Sequence, residues 1–393
     1  MIPSKTLFDL PKKDNRHHWI PSIFNDDLTD KDEETGDAFY QTQSSWVMVF
    51  RSGMKPFGKK KWPVVTTYIL LAVMFMILSG ELLLSQQTSN EFLELDPFNV
   101  MLGPSIQILI QTGARFPPCM RPTEVMQPDA RYVCLNTTLS TMNATWTTLR
   151  KTDNGKATVP GILDPISDPG LLQNSSCSLQ DICGMSGFAY TLVPDQSFRF
   201  FTPLFVHAGV LHYLIDACLL WFVAKDLERI MNPIRFAAVY ILSGLFGNAF
   251  GSIFAMPTNP FMGCHPSISG LFGCSLIDLF FMWPLVRQPF RHVIKIMIFI
   301  ASSFLLGLLP GVDNFTLAGG LIGGLLIGVV SMPTVYNSKR YQIMIWCIRL
   351  ISLSMYLLLT ILLWRTFYQA DDPGKSCTFC RYVSCLPIGG FCD

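Results

Sequence analysis

Charge is what this sequence has least of. Of its 393 residues only 15% are Asp, Glu, Lys or Arg and half are hydrophobic. Soluble domains carry about 25% charged residues, so an ordinary water-soluble domain is excluded. An excess of either sign is missing too. The 29 basic and 28 acidic residues leave a net charge of +1, which argues against a nucleic-acid partner and means that the charges must be read by position. The start of the chain lacks the basic and then apolar pattern of a cleavable signal. About sixty polar residues stand there instead, with the acidic run Asp26 to Glu34, and they are expected to form a flexible tail. Within that tail Trp46 to Phe50 is a short apolar patch, read as an interfacial or packing contact.

Long apolar runs are present in number. A spanning helix needs about 20 predominantly apolar residues, and seven stretches qualify, at approximately 63–84, 201–223, 236–255, 263–285, 293–310, 314–332 and 343–364. Short connections separate spans five to seven, as a packed bundle requires. Residues 86–198 are too long for a simple connection and are expected to form an extramembrane subdomain. The expected fold class is therefore an all-α polytopic membrane helix bundle, with seven transmembrane helices and a large loop after the first.

Basic residues set the expected orientation, because Lys and Arg accumulate in short cytoplasmic loops. Lys59 to Lys61 precede span one; Lys225, Arg229 and Arg235 lie between spans two and three; Arg287, Arg291 and Lys295 between four and five; Lys339 and Arg340 between six and seven. The alternate short loops, Met256 to Met262 and Gly311 to Asn314, contain neither. The N-terminus is thus predicted to be cytoplasmic and the C-terminus luminal or extracellular. The predicted luminal loop carries three glycosylation sequons, at Asn136, Asn143 and Asn174, and the cysteines Cys119, Cys134, Cys177 and Cys183, a combination suited to the secretory pathway. Cys377, Cys380, Cys385 and Cys392 lie in the tail. Both sets are disulfide candidates whose pairing the sequence leaves open. The tail spacing also permits a four-cysteine zinc site, but an oxidising compartment favours disulfides, and no metal is assigned. Cys218, Cys274 and Cys347 are read as packing residues. Asn314 also begins a sequon, but it abuts the membrane and is expected to be unmodified.

The resulting domain boundaries are 1–62 for the cytoplasmic tail, 63–85 for the first helix, 86–198 for the luminal loop, 199–335 for core helices two to six, 336–366 for the seventh helix and 367–393 for a cysteine-rich luminal tail.

Polar groups inside spans are costly and narrow the search for a site. His207, His212 and Asp216 sit in span two, Ser267 and Ser269 start span four, and Asp313 and Asn314 open span six. Phe205-Val206-His207-Ala208-Gly209-Val210-Leu211-His212-Tyr213-Leu214 resembles the His-Ala-Gly-x-x-His-Leu signature of the rhomboid intramembrane serine proteases, and Ser267-Ile268-Ser269-Gly270 resembles their Gly-x-Ser-Gly nucleophile motif. Asp313 to Gly324 is similar to the span that supplies their base, and Glu228-Arg229 and Tyr240-x-x-Ser243-Gly244-x-x-Gly247-Asn248 fit the same pattern. The resemblance covers roughly 200–335 and implies a rhomboid-like bundle of the eukaryotic secretory type, six core spans plus one. Leu102 to Ser105 and Gly113 to Phe116 resemble the segment after span one in other eukaryotic rhomboids.

A serine nucleophile needs a base within hydrogen-bond reach and donors for the oxyanion. Gly270, Gly273, Gly319, Gly320, Gly323, Gly324 and Gly328 allow spans four and six to approach closely. Residue 317 shares the helical face of Gly320 and Gly324, and that face should meet span four near Ser269. The family places its base at this position, but the residue here is Leu317; its neighbours Thr316 and Ala318 are no better. Asp216 stands where the family has an oxyanion-stabilising Asn, one turn from His212, and Ser267 replaces the leading Gly. Without a base, Ser269 serves as a small residue at a helix contact. His265, four residues earlier, is the one nearby imidazole that could substitute. His207 and His212 are read either as family positions or as braces for the loops, Asp313 as a helix cap, and Asp278 as a partner of Arg287 or Arg291. The resemblance thus implies a proteolytically inactive rhomboid that binds single-span or multi-span membrane clients within the bilayer, with no cofactor. A serine protease using Ser269 and an unconventional base is the alternative.

Overall fold

A computed structural model describes residues 62–95, 99–124, 126–133, 176–190, 192–255, 259–286, 288–307, 313–334, 339–369, 377 and 380. The polar N-terminal tail, the three loop sequons, Cys134, Cys385, Cys392 and Arg287 lie outside the described residues.

Seven long helices among the described residues carry the fold. The first is α1 Thr66–Ser89; three short helices of the loop, α2 Ile106–Gln111, α3 Pro117–Met120 and α4 Leu179–Cys183, come next. The bundle then continues with α5 Val210–Met231, α6 Pro233–Phe254, α7 His265–Phe281, α8 Pro289–Leu306, α9 Asn314–Ser331 and α10 Lys339–Gln369. Four of the seven, α1, α6, α9 and α10, are long and apolar enough to cross a membrane by length and composition alone. The helix of span two begins at Val210, not near residue 201 as its hydropathy suggests. Residues 197–204 form two 3-10 turns instead. The carbonyls of Leu102 and Met101 then accept from the backbone N–H groups of Val210 and Leu211 (3.0 and 3.1 Å), which satisfies the first free donors of α5 from the loop.

The centre of the bundle is α9, wedged between α6 and α7. Glycine makes that possible. A Cβ at Gly320 would strike the backbone of Pro266 and one at Gly324 the backbone of Gly270, both on α7, while Gly319 faces Phe250 and Gly323 faces Phe246 on α6. Three helices meet there at backbone distance, the small-residue packing that substitutes for a hydrophobic driving force in lipid.

The loop subdomain has its own core, with Ile110, Phe116, Met126, Tyr132, Leu179 and Ile182 around the Cys119–Cys183 disulfide. A two-stranded antiparallel ribbon, β1 Arg131–Val133 and β2 Ser176–Ser178, borders it. Cys177 is also disulfide-bonded, and Cys377 pairs with Cys380. Arg199, fully buried, donates to the carbonyls of Ile110, Ala114 and Cys183 and to Gln196 Oε1 at 2.6–2.7 Å. Burial pushes its pKa down to about 9, so it remains charged at neutral pH, held by oxygen dipoles. Of the cysteines read as packing residues, Cys274 is buried, whereas Cys218 and Cys347 are exposed on outer helix faces. Asn314 is only 3% exposed, which leaves no room for a glycan on the folded chain.

Glu228, near the end of α5, is fully buried. Its carboxylate accepts from the backbone N–H groups of Val65, Thr66 and Thr67 (2.9, 2.6 and 3.0 Å) and from the Thr67 hydroxyl (2.7 Å). An anion thereby neutralises the free donors at the start of α1. Glu228→Ala is expected to lower stability by about 3 kcal/mol and to loosen α1, while Glu228→Gln, which keeps one acceptor oxygen, should lose about half as much. Thermal unfolding in detergent checks this, and an unchanged midpoint in Glu228→Ala would contradict it.

Candidate functional site

Two juxtapositions place the site. The first is between α7 and α9. Ser269, 5% exposed, donates its hydroxyl hydrogen to the backbone carbonyl of Leu317 at 2.8 Å, and Leu317 is itself buried. The sequence-predicted meeting of these two positions is thus observed, but the acceptor is a peptide oxygen and the side chain there is a hydrocarbon. A carbonyl oxygen orients a hydroxyl; it does not take its proton at neutral pH. Ser267 is turned away, donating to the Tyr240 carbonyl of α6 at 2.8 Å.

The second is a buried polar cluster centred on Asp216, whose side chain has no exposed surface. His207 Nε2 and His212 Nε2 lie 3.5 Å from its Oδ2, and His265 Nδ1 lies 3.1 Å from its Oδ1. The backbone N–H of Cys264 donates to Oδ2 at 3.3 Å, and the Cys264 Sγ is equally close. His212 and His265 stack, with ring centroids 4.7 Å apart and their Nε2 atoms separated by 2.7 Å. The tautomers follow from the partners. Ala208 N–H donates to His212 Nδ1 at 3.1 Å, so a neutral His212 carries its proton on Nε2 and donates it to His265 Nε2. His265 then presents its Nδ1–H to Asp216.

Both ring nitrogens of His265 are therefore directed at α5, towards His212 and Asp216, and Ser269 is directed at Leu317. Gly263 shapes this arrangement: its φ is +109°, and a Cβ there would lie 2.9 Å from the His212 ring. Glu81 of α1, to which the sequence assigned no role, is 1% exposed and lies beside the backbone N–H of His207.

The mouth of α9 is closed by a residue that sequence reasoning also missed. Arg115, 1% exposed, donates to Asp313 Oδ2 (2.6 Å), Thr316 Oγ1 (2.7 Å) and the Asn248 carbonyl (3.2 Å), and its guanidinium lies 4.6 Å from the Phe261 ring centroid. Burial lowers its pKa while Asp313 opposes the shift. Asp313 caps α9 as expected, accepting from Phe315 N–H at 3.0 Å, and Thr316 donates to its other oxygen. Asp278 is 2% exposed, and among the described residues its Oδ1 has no partner and Arg291 is exposed; its other expected partner, Arg287, lies outside the described residues. The Gly-Ala-Arg-Phe segment ahead of two prolines was the available signal for Arg115; no signal marked Cys264, which precedes His265 as the N-cap of α7.

Comparison with known proteins is consistent with this geometry. Residues 194–334 match the Rhomboid domain family. The chain is similar to rhomboid-type serine protease 2 of Emericella nidulans, at 28% identity over 87% of this chain and 74% of that protein. It is also similar to inactive rhomboid protein 1 of Bos taurus (33%) and of Homo sapiens (32%), each over 55% of this chain. The match spans a quarter of the length of those two inactive relatives. Taken with the spanning helices, the match makes this an integral membrane protein that carries a Rhomboid domain over residues 194–334.

Proposed function

We propose that this protein is a rhomboid without proteolytic activity that binds transmembrane client proteins in the secretory pathway. The observation that carries the reading is the hydrogen bond from Ser269 to the Leu317 carbonyl, at the place where a base would have to stand. A general base must reach the proton it abstracts at about 2.6–3.2 Å, and His265, the nearest imidazole in sequence, is engaged with Asp216 and His212. Asp216 adds to the case: an ionised carboxylate in the oxyanion region would repel the charge that develops on attack. The likeness to inactive rhomboid protein 1 points the same way.

Client helices would enter laterally between α5 and α8, the route that the resemblance implies. In support, α8 is weakly embedded, with only Ile296 and Ile300 buried among its described side chains. The N-terminus is assigned to the cytoplasm, and the loop and C-terminus to the lumen, on the distribution of basic residues.

The test is reconstitution in liposomes with a single-span rhomboid substrate, with photo-crosslinkers in α5 and α8. Crosslinking to the intact substrate without cleavage is the expected outcome. In the same assay Leu317→His is expected to restore no more than partial cleavage, because Asp216 remains. The likeness to a rhomboid-type serine protease over 87% of the chain favours a second reading, an active protease using Ser269 and His265. That reading requires cleavage by the wild type, abolished equally by Ser269→Ala and His265→Ala.

A further inference from the structure

The polar cluster contains an imbalance that hydrogen bonding alone does not remove. His207 is fully buried, and its Nδ1 faces the Phe205 carbonyl at 3.1 Å. A carbonyl can only accept, so Nδ1 carries a hydrogen and, in the neutral ring, Nε2 is a bare lone pair. Among the described residues that lone pair has no hydrogen-bond partner, and it faces Asp216 Oδ2 at 3.5 Å. Asp216 Oδ1 is likewise buried and is faced by His265 Nδ1 at 3.1 Å, while Oδ2 accepts from the Cys264 N–H. Among the described residues no Lys or Arg pairs with this carboxylate. Two buried acceptors opposed in this way need a proton or a metal cation between them.

We propose that His207 Nε2, the Asp216 carboxylate and the Cys264 thiolate bind a divalent transition-metal ion of the zinc class. The three donor atoms lie within 4.8 Å of one another. Zinc forms bonds of about 2.0–2.3 Å to nitrogen, oxygen and sulfur, so a tetrahedral ion holds its ligands roughly 3.3–3.8 Å apart. The observed 3.5 Å from nitrogen to oxygen and 3.3 Å from sulfur to oxygen fit that spacing. A mixed N, O, S set selects zinc over magnesium or calcium, which prefer oxygen alone. The support around the ligands is also of the right kind. The other nitrogen of His207 is fixed by a backbone carbonyl and Asp216 by the Cys264 N–H, the outer contacts that orient metal ligands. A second grouping, His212, Asp216 and His265, is less suited, because the two imidazoles already satisfy each other. On binding, the ion takes the place of the Cys264 thiol proton, which leaves to solvent. It joins the segment before α5, α5 itself and the start of α7 through one centre.

The experiment uses the full chain in detergent micelles, purified through a tag without histidine. Zinc content is measured by plasma mass spectrometry after dialysis, and Co²⁺ is used as a spectroscopic substitute. About one zinc per wild-type chain is expected, with a thiolate-to-cobalt charge-transfer band in the cobalt form. Asp216→Asn and His207→Ala should lower metal affinity at least about tenfold. Cys264→Ser, which is nearly isosteric, should abolish the charge-transfer band while the protein still unfolds cooperatively, so the proposal does not depend on the harsher variants folding. Wild type with less than about a tenth of an ion per chain would overturn it. Zinc and the cobalt band retained in Cys264→Ser would also overturn it, by locating the ion elsewhere, for instance among the tail cysteines.

Discussion

Arg115→Ala is expected to remove much of the stability of the folded chain. Arg115 is the cation of a buried pair that joins loop to bundle across 198 residues of sequence. Its loss leaves Asp313 without a counter-charge at the mouth of α9. Breaking a buried pair from one side costs about 3–5 kcal/mol, because the remaining charge stays desolvated. Arg115→Lys should recover only part, since an ammonium cannot reproduce the planar fork that reaches Asp313, Thr316 and the Asn248 carbonyl together. Arg115→Leu combined with Asp313→Asn should recover most of the loss, because no unpaired charge remains. Thermal unfolding and size-exclusion profiles in one detergent would measure the series. An Arg115→Ala protein as stable as the wild type would show that the pair contributes nothing.

The second large effect is expected from Gly324→Val. The added Cβ meets the backbone of Gly270, which cannot rotate aside as a side chain can, so α9 must part from α7. Overpacking a core typically costs about 1–3 kcal/mol, and a backbone collision at the middle of three helices belongs at or above the upper end. A Cβ added at Gly80 of α1 would meet nothing within 4 Å, so Gly80→Val should change the unfolding midpoint little. Equal sensitivity of the two positions would contradict close α7–α9 packing.

How much of this was legible beforehand depended on the range of each interaction. Helices recorded themselves in apolar runs, and the face shared by Leu317, Gly320 and Gly324 followed from helical periodicity. That face correctly brought residue 317 to Ser269. The start of α5 was misplaced by about two-fifths of its length, because residues 201–209 are as apolar as a helix yet Thr202–Leu204 forms a 3-10 turn, and the helix starts only where the carbonyls of Met101 and Leu102 accept from Leu211 and Val210. Hydropathy registers burial, not backbone geometry. The pairings of Arg115 with Asp313, Glu228 with the start of α1, and Cys264 with Asp216 join elements far apart in sequence. No local pattern encodes them, and Cys264 in particular looked like any small residue before a helix. His265 was noticed for its distance along the chain from Ser269, whereas its partners proved to be His212 and Asp216 on another helix.

Whether this protein is inert rests on the chemistry of one hydroxyl, and labelling it is the direct test. Purified, unmodified wild type in liposomes would be treated with a serine-reactive fluorophosphonate beside a Ser269→Ala control. A hydroxyl hydrogen-bonded to the Leu317 carbonyl, with no imidazole among the described residues accepting its proton, should label no more than the control. Labelling of the wild type above Ser269→Ala would mean that a base reaches Ser269 after all, and the inactive reading would have to be given up.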